Sequence, residues 1–139
     1  MRQIHGTLEV RTRGRGLHGF TREVAAWLTR HEADRGLLTV FIQHTSASLL
    51  VQENADPDVG ADLDRFFSAL VKDGDPSFAH DAEGPDDMPA HVRAALTQTS
   101  LSIPVVDGAM ALGTWQGLYV FEHRLAAHTR RLALHYLGD

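Results

Sequence analysis

The hydrophobic pattern switches between a period of two and helical spacing along the chain. Ile4, Leu8 and Val10 fall on one side of residues 3–11, with Gly6 between them, as in a half-buried strand. Phe20, Val24, Trp27 and Leu28 recur at helical intervals, which predicts a helix from Thr21, its expected cap, to about Arg30. Gly36 closes that unit. Leu37 to Gln43 (LLTVFIQ) is a continuous apolar run rich in β-branched residues, expected to form a buried central strand that ends in His44-Thr45-Ser46. A second apolar stretch, Leu49-Leu50-Val51, runs into Gln52-Glu53-Asn54. Asp56-Pro57 supplies a cap and a first-turn proline, so a helix is predicted over residues 57–71. Its apolar face is Val59, Leu63, Phe66, Phe67 and Leu70.

Residues 72–87 show no periodicity, and a loop of that length in a small domain is usually functional or disordered. A helix is predicted over residues 88–98. Leu101, Ile103 and Val105 then mark a short strand, where Pro104 suggests an edge or a bulge. Asp107-Gly108 is a hairpin-turn signal, followed by Ala109 to Leu112 and by Trp115 to Phe121. Leu132, Leu134 and Tyr136 alternate through a last strand. Strands at both ends with three helices inserted predict one α+β domain over residues 1–139, with a largely antiparallel sheet. The basic, glycine-rich segment from Arg11 to Gly19 lacks the residue order of a phosphate-binding P-loop and reads as a flexible turn.

Composition narrows the function classes. The formal charge of −5 disfavours bulk nucleic-acid binding, and no run is apolar enough to predict a membrane span. Without cysteine there is no disulfide, no thiolate ligand and no cysteine nucleophile, so a transition-metal site must use histidine and carboxylate. The opening MRQIHGTLEV is too polar for a signal peptide, which places the expected location in the cytoplasm.

The densest chemistry lies in Ser77 to His91, SFAHDAEGPDDMPAH. It holds His80, His91, Asp81, Glu83, Asp86 and Asp87. A helix starting near Pro89, with Asp87 as cap, puts Asp87 and His91 near one face. His44, His80 and His91 are the candidate metal ligands, since a catalytic zinc usually takes three protein ligands and leaves a position open. Asp87 is a further ligand or an orienter of His91. Glu83, Asp86 and Asp87 are close enough in sequence to perturb one another and supply a general acid or base. The competing reading is a solvated acidic loop whose histidines and carboxylates cap and hydrogen-bond one another. Glu53 and Asn54 have no helix-cap explanation. Gln116, beside Trp115 and two glycines, is a candidate substrate contact, and Trp115 reads first as core. His5, His18, His31, His123, His128 and His135 read as surface or structural.

These motifs resemble the YjbQ family. The matching strings are HTSA at 44–47, ENAD at 53–56, EGPDDMPAH at 83–91, Asp107-Gly108 and LGTWQG at 112–117. The resemblance implies a compact α+β domain assembled as a homotrimer. It also implies a site near subunit boundaries, built from the HTS, ENAD, EGPDD and WQG segments and holding metal and small anions. It strengthens His44, His80 and His91 as ligands of a divalent metal, zinc before magnesium. The implied activity is a secondary thiamine-phosphate synthase, which joins a pyrimidine pyrophosphate to a thiazole phosphate. Glu53, Glu83, Asp86 and Asp87 would be its catalytic carboxylates. Thr45, Ser46, Asn54, Trp115 and Gln116 would contact the phosphorylated substrate. A metal-dependent hydrolase of a small phosphorylated or acyl compound, and a non-catalytic trimeric binder of an anion or metal, are the alternatives. At 121–124 the chain reads Phe-Glu-His-Arg, where the family pattern is more acidic, so His123 and His128 inherit no role.

Overall fold

A computed structural model describes all 139 residues. The elements run β1 (Arg2–Arg11), β2 (Gly16–Gly19), α1 (Thr21–Arg30), β3 (Gly36–Ile42), β4 (Ala47–Glu53), α2 (Pro57–Leu70), α3 (Asp87–Leu96), β5 (Ser100–Val106), β6 (Ala109–Met110), β7 (Gln116–Glu122) and β8 (Thr129–Gly138). A five-stranded sheet takes the order β1-β8-β3-β5-β6, and a three-stranded sheet the order β2-β7-β4. Every pairing is antiparallel. The fold is the α+β class expected from the sequence.

The strand pattern translates directly into the core. Leu38, Val40 and Ile42 of β3, Leu132, Leu134 and Tyr136 of β8, and Leu101, Ile103 and Val105 of β5 are all buried. Val24, Trp27 and Leu28 of α1 and Leu49, Leu118 and Val120 of the small sheet join them in one cluster. Asp107 and Gly108 both take positive φ, 51° and 80°, as a two-residue turn between β5 and β6 needs. At α2 the Asp56 carboxylate accepts from the Asp58 amide at 2.9 Å, as the cap reading predicts.

Three local expectations are corrected. Residues 16–19 are not a flexible turn but strand β2, because β7 offers a free edge that pairs with Leu17 and His18. The turn is confined to residues 12–15, with positive φ at Gly14 (110°) and at the first strand residue, Gly16 (130°). Thr21 does not cap α1, since its hydroxyl accepts the Leu118 amide at 2.8 Å and ties the helix to β7. Helix α3 begins at Asp87 rather than being capped by it, and Asp86, at the cap position, spends its carboxylate on more distant partners.

Candidate metal centre

The site forms where the 72–86 loop runs into the first turn of α3. That loop is held at both ends. At its start Arg15 grips Asp73 through two hydrogen bonds of 3.0 Å, and Arg93 of α3 donates to the Val71 carbonyl at 2.8 Å. Inside it the Gly74 amide donates to the Pro85 carbonyl at 3.0 Å. At its end Arg124 donates to Asp86 Oδ2 at 2.9 Å, to Asp87 Oδ1 at 2.8 Å and to the Glu83 carbonyl at 3.0 Å. A loop without regular structure is thereby fixed, and with it His80 and Glu83.

His80, Glu83, Asp87 and His91 offer one ligand atom each, all within 4.8 Å of one another. Asp87 Oδ2 is central, at 2.7 Å from His80 Nε2 and 3.0 Å from His91 Nε2. Glu83 Oε2 lies 3.6 Å from His80 Nε2. The second nitrogen of His91 fixes its tautomer. His91 Nδ1 lies 2.9 Å from the Thr45 carbonyl, which can only accept, so Nδ1 carries hydrogen and a neutral ring turns its Nε2 lone pair toward Asp87. Two acceptors facing each other at 3.0 Å call for a cation or a proton between them.

Charge in the cluster follows from these contacts. The hydrogen bond to Asp87 holds His80 above the ordinary imidazole range. Burial works to raise the Asp87 carboxyl, but the hydrogen bond to His80 and the Arg124 charge hold it below the usual carboxylate range. Asp86 is likewise lowered: the Leu125 amide and Arg124 outweigh burial.

The structure does not bring His44 to this cluster. His44 Nε2 accepts the Arg131 amide at 2.7 Å, and Nδ1 faces Arg130 at 3.4 Å. Burial, then the Arg130 charge, lower its pKa. Thr45 contributes its carbonyl, and Ser46 Oγ accepts from Arg130 at 3.0 Å. Glu53 Oε2 accepts the Ala55 and Asp56 amides, and the Asn54 side-chain amide donates to the Thr114 and Gln116 carbonyls. Glu53 and Asn54 line a separate cavity of about 500 Å3 beside Arg15 and Tyr119. Gln116 Oε1 accepts the Gly113 amide at 2.8 Å, which closes the turn before β7. Trp115 is not core: it is 63% exposed.

The sequence profile of the family described as UPF0047 protein YjbQ-like matches residues 6–139. The chain belongs to the YjbQ family. It is 48% identical to UPF0047 protein sll1880 of Synechocystis over 99% of this chain and 94% of the relative. It is 41% identical to UPF0047 protein YjbQ of Escherichia coli O157:H7 over 96% of each. Among solved structures, the hypothetical protein APE1520 of Aeropyrum pernix K1 superposes with a TM-score of 0.89 at 33% identity, covering 98% of this chain and 99% of that one. The conserved hypothetical protein TT1486 of Thermus thermophilus gives 0.86 at 32% identity, over 95% and 99%.

In this YjbQ-family chain, sequence reasoning missed two groups. Arg124 was invisible because its partner Asp87 lies 37 positions away, and the only signal was a basic residue where the family pattern is acidic. The second is the buried Glu122–Arg130 pair, whose carboxylate also accepts from Thr12 Oγ1 and from the His123 and Arg124 amides. It fixes the turn from which Arg124 reaches the cluster.

His123 follows in that turn and is buried, with Nε2 at 2.9 Å from Ser48 Oγ. Burial, then the Arg93 charge, push its pKa down to about 3. In the unfolded chain an imidazole takes its proton near 6.5. The unfolded state therefore binds more protons between those values, and folding stability falls as pH drops through that window, by about 1.4 kcal/mol per pH unit for one proton. His18 and His44 are lowered too and act with the same sign. His80 is raised, so its contribution is complete below about 6.5 and is lost as pH rises through its folded value. Urea unfolding from pH 7 to 4.5 is expected to show this loss, and His123→Leu to flatten it. An unchanged slope in the variant would mean that His123 protonates in the folded chain.

Proposed function

We propose that His80, Glu83, Asp87 and His91 hold a divalent cation and that the chain is a metal-dependent enzyme acting on a small phosphorylated compound. The observation that carries this reading is the set of four ligand atoms within 4.8 Å, with His91 held in the tautomer that leaves Nε2 as donor. Two imidazoles and two carboxylates suit zinc or another first-row ion. Magnesium prefers an all-oxygen shell. Such a cation would neutralise phosphate oxygens and a departing pyrophosphate.

The transfer suggested by the family resemblance breaks the bond between the pyrimidine methylene and pyrophosphate, and forms a bond from that methylene to the thiazole nitrogen. In this reading Arg124 and Asp86 keep Asp87 in place, and Thr45 orients His91. Glu83, the most exposed carboxylate of the cluster, would complete the cation's shell; the step itself releases no proton, because the thiazole nitrogen becomes a quaternary thiazolium as pyrophosphate leaves. The working unit is taken to be a cytoplasmic homotrimer. Support for a second copy comes from Leu37 and its cross-strand partner Leu137, half-exposed on the outer face of the five-stranded sheet, with Phe41 half-exposed further along the same face. No helix is long and apolar enough to cross a membrane.

The test is elemental analysis of the purified protein, followed by coupling and phosphate-release assays with and without chelator. Metal near one per chain and chelator-sensitive coupling are expected. Chelator-sensitive phosphate release without coupling would replace the transferase by a hydrolase. Stoichiometric metal with no turnover would replace both by a binder. Failure to rescue a thiamine auxotroph at high expression would reject the synthase.

A further inference from the structure

A cavity of about 370 Å3 adjoins the cluster and shares His80 with it. Its walls come from both sides of the pinned loop and from the start of α3. Pro76, Phe78, Pro85 and Met88 present apolar surface, and Phe78 and Met88 are half-buried. No lysine or arginine lines it, while Asp75 and Asp81 do. The volume lies near the lower end of small-molecule pockets, enough for one ring and its substituents and too small for a dinucleotide. The walls are also set in advance. Gly74 bonds to Pro85 at 3.0 Å, the Phe78 amide to the Asp75 carbonyl at 3.1 Å, and the Ser77 amide to Asp75 Oδ1 at 2.9 Å.

Resting on the metal reading above, we infer that this cavity receives the body of the substrate, and that this body is a single uncharged or cationic ring whose phosphate reaches the metal beside His80. The apolar walls favour a ring over a chain of hydroxyl groups, which would leave hydrogen bonds unmade there. The two carboxylates and the absence of any basic lining residue beyond the His80 shared with the metal cluster disfavour a body with its own negative charge, such as a second phosphate or a carboxylate. The two ends of the site therefore select opposite charge: anionic at the metal, neutral or positive in the cavity.

The test uses the zinc-loaded full chain with methyl-labelled methionine. There are three methionines, and Met88 is the one that lines the cavity. Inorganic phosphate, benzyl phosphate, 4-(aminomethyl)benzyl phosphate and 4-carboxybenzyl phosphate are titrated in turn. The two uncharged or cationic rings are expected to bind about tenfold or more tighter than inorganic phosphate, from burial of the ring. They should also shift the Met88 methyl. The carboxylate-bearing ring should lose that gain. Phe78→Ala, in an exposed loop, should bring the benzyl phosphate to inorganic phosphate ratio toward one while inorganic phosphate binds as before. Equal binding of all four, or ring binding that leaves Met88 unmoved, overturns the inference. If inorganic phosphate fails to bind the zinc-loaded chain, the metal–phosphate reading falls by itself. Benzylammonium, which has no phosphate, then decides the cavity alone: a Met88 shift supports it, and none overturns it.

Discussion

Asp87→Asn is expected to lower divalent-metal affinity by at least about 100-fold while the chain stays folded. Asp87 Oδ2 is the one atom within 3.0 Å of both ring nitrogens, so it supplies the negative charge that a cation between them needs. The asparagine side chain has nearly the same shape and no charge. The fold should survive, because Arg124 keeps its bonds to Asp86 and to the Glu83 carbonyl. Isothermal titration with zinc, alongside circular dichroism, separates the two effects. Arg124→Met should cost less, about tenfold, because it frees Asp87 without removing it. His44→Ala should retain the metal, since both His44 nitrogens face Arg130 and Arg131. Full metal content in Asp87→Asn, or its loss in His44→Ala, would reverse the ligand assignment.

Glu122→Gln is expected to destabilise the chain by about 3–5 kcal/mol. Its side chain is fully buried against Arg130, itself only 4% exposed. Removing one charge leaves the other buried and short of its counter-ion, and such a group keeps most of its desolvation penalty. The measurement is the urea midpoint, with an unchanged slope showing that the unfolded state is the same. The double variant Glu122→Met with Arg130→Met should recover much of the loss, because no buried charge remains. A single-variant cost under about 1 kcal/mol would show that water reaches the pair. Glu122 also accepts the Arg124 amide, so its loss should loosen the clamp on Asp87 and weaken zinc binding.

The residues of the site differ in how far sequence alone could place them. Asp87 and His91 were paired by helical spacing, and the structure sets them 3.0 Å apart on α3. His80 joined them because the loop folds back, pinned by Arg93 of α3 and by Arg15 and Arg124 from two distant segments. Glu83 and Asp86 look equivalent in sequence, yet Glu83 turns toward His80 and Asp86 toward Arg124. His44 ends its strand as expected, but the amide of the adjacent β8 strand captures its ring.

The periodicities of two and of 3.6 determined the three helices, most strands and the core of the large sheet, since burial of an apolar face depends on local spacing. Helix α2 forms where expected, but its predicted apolar face is not buried, and Phe66 and Leu70 are exposed. The DG turn and the DP cap were equally local. What the tertiary structure decided was the choice among equivalent polar groups. Carboxylates, imidazoles and guanidiniums pair through space with whichever partner the packing brings near, and neither spacing nor composition records that choice.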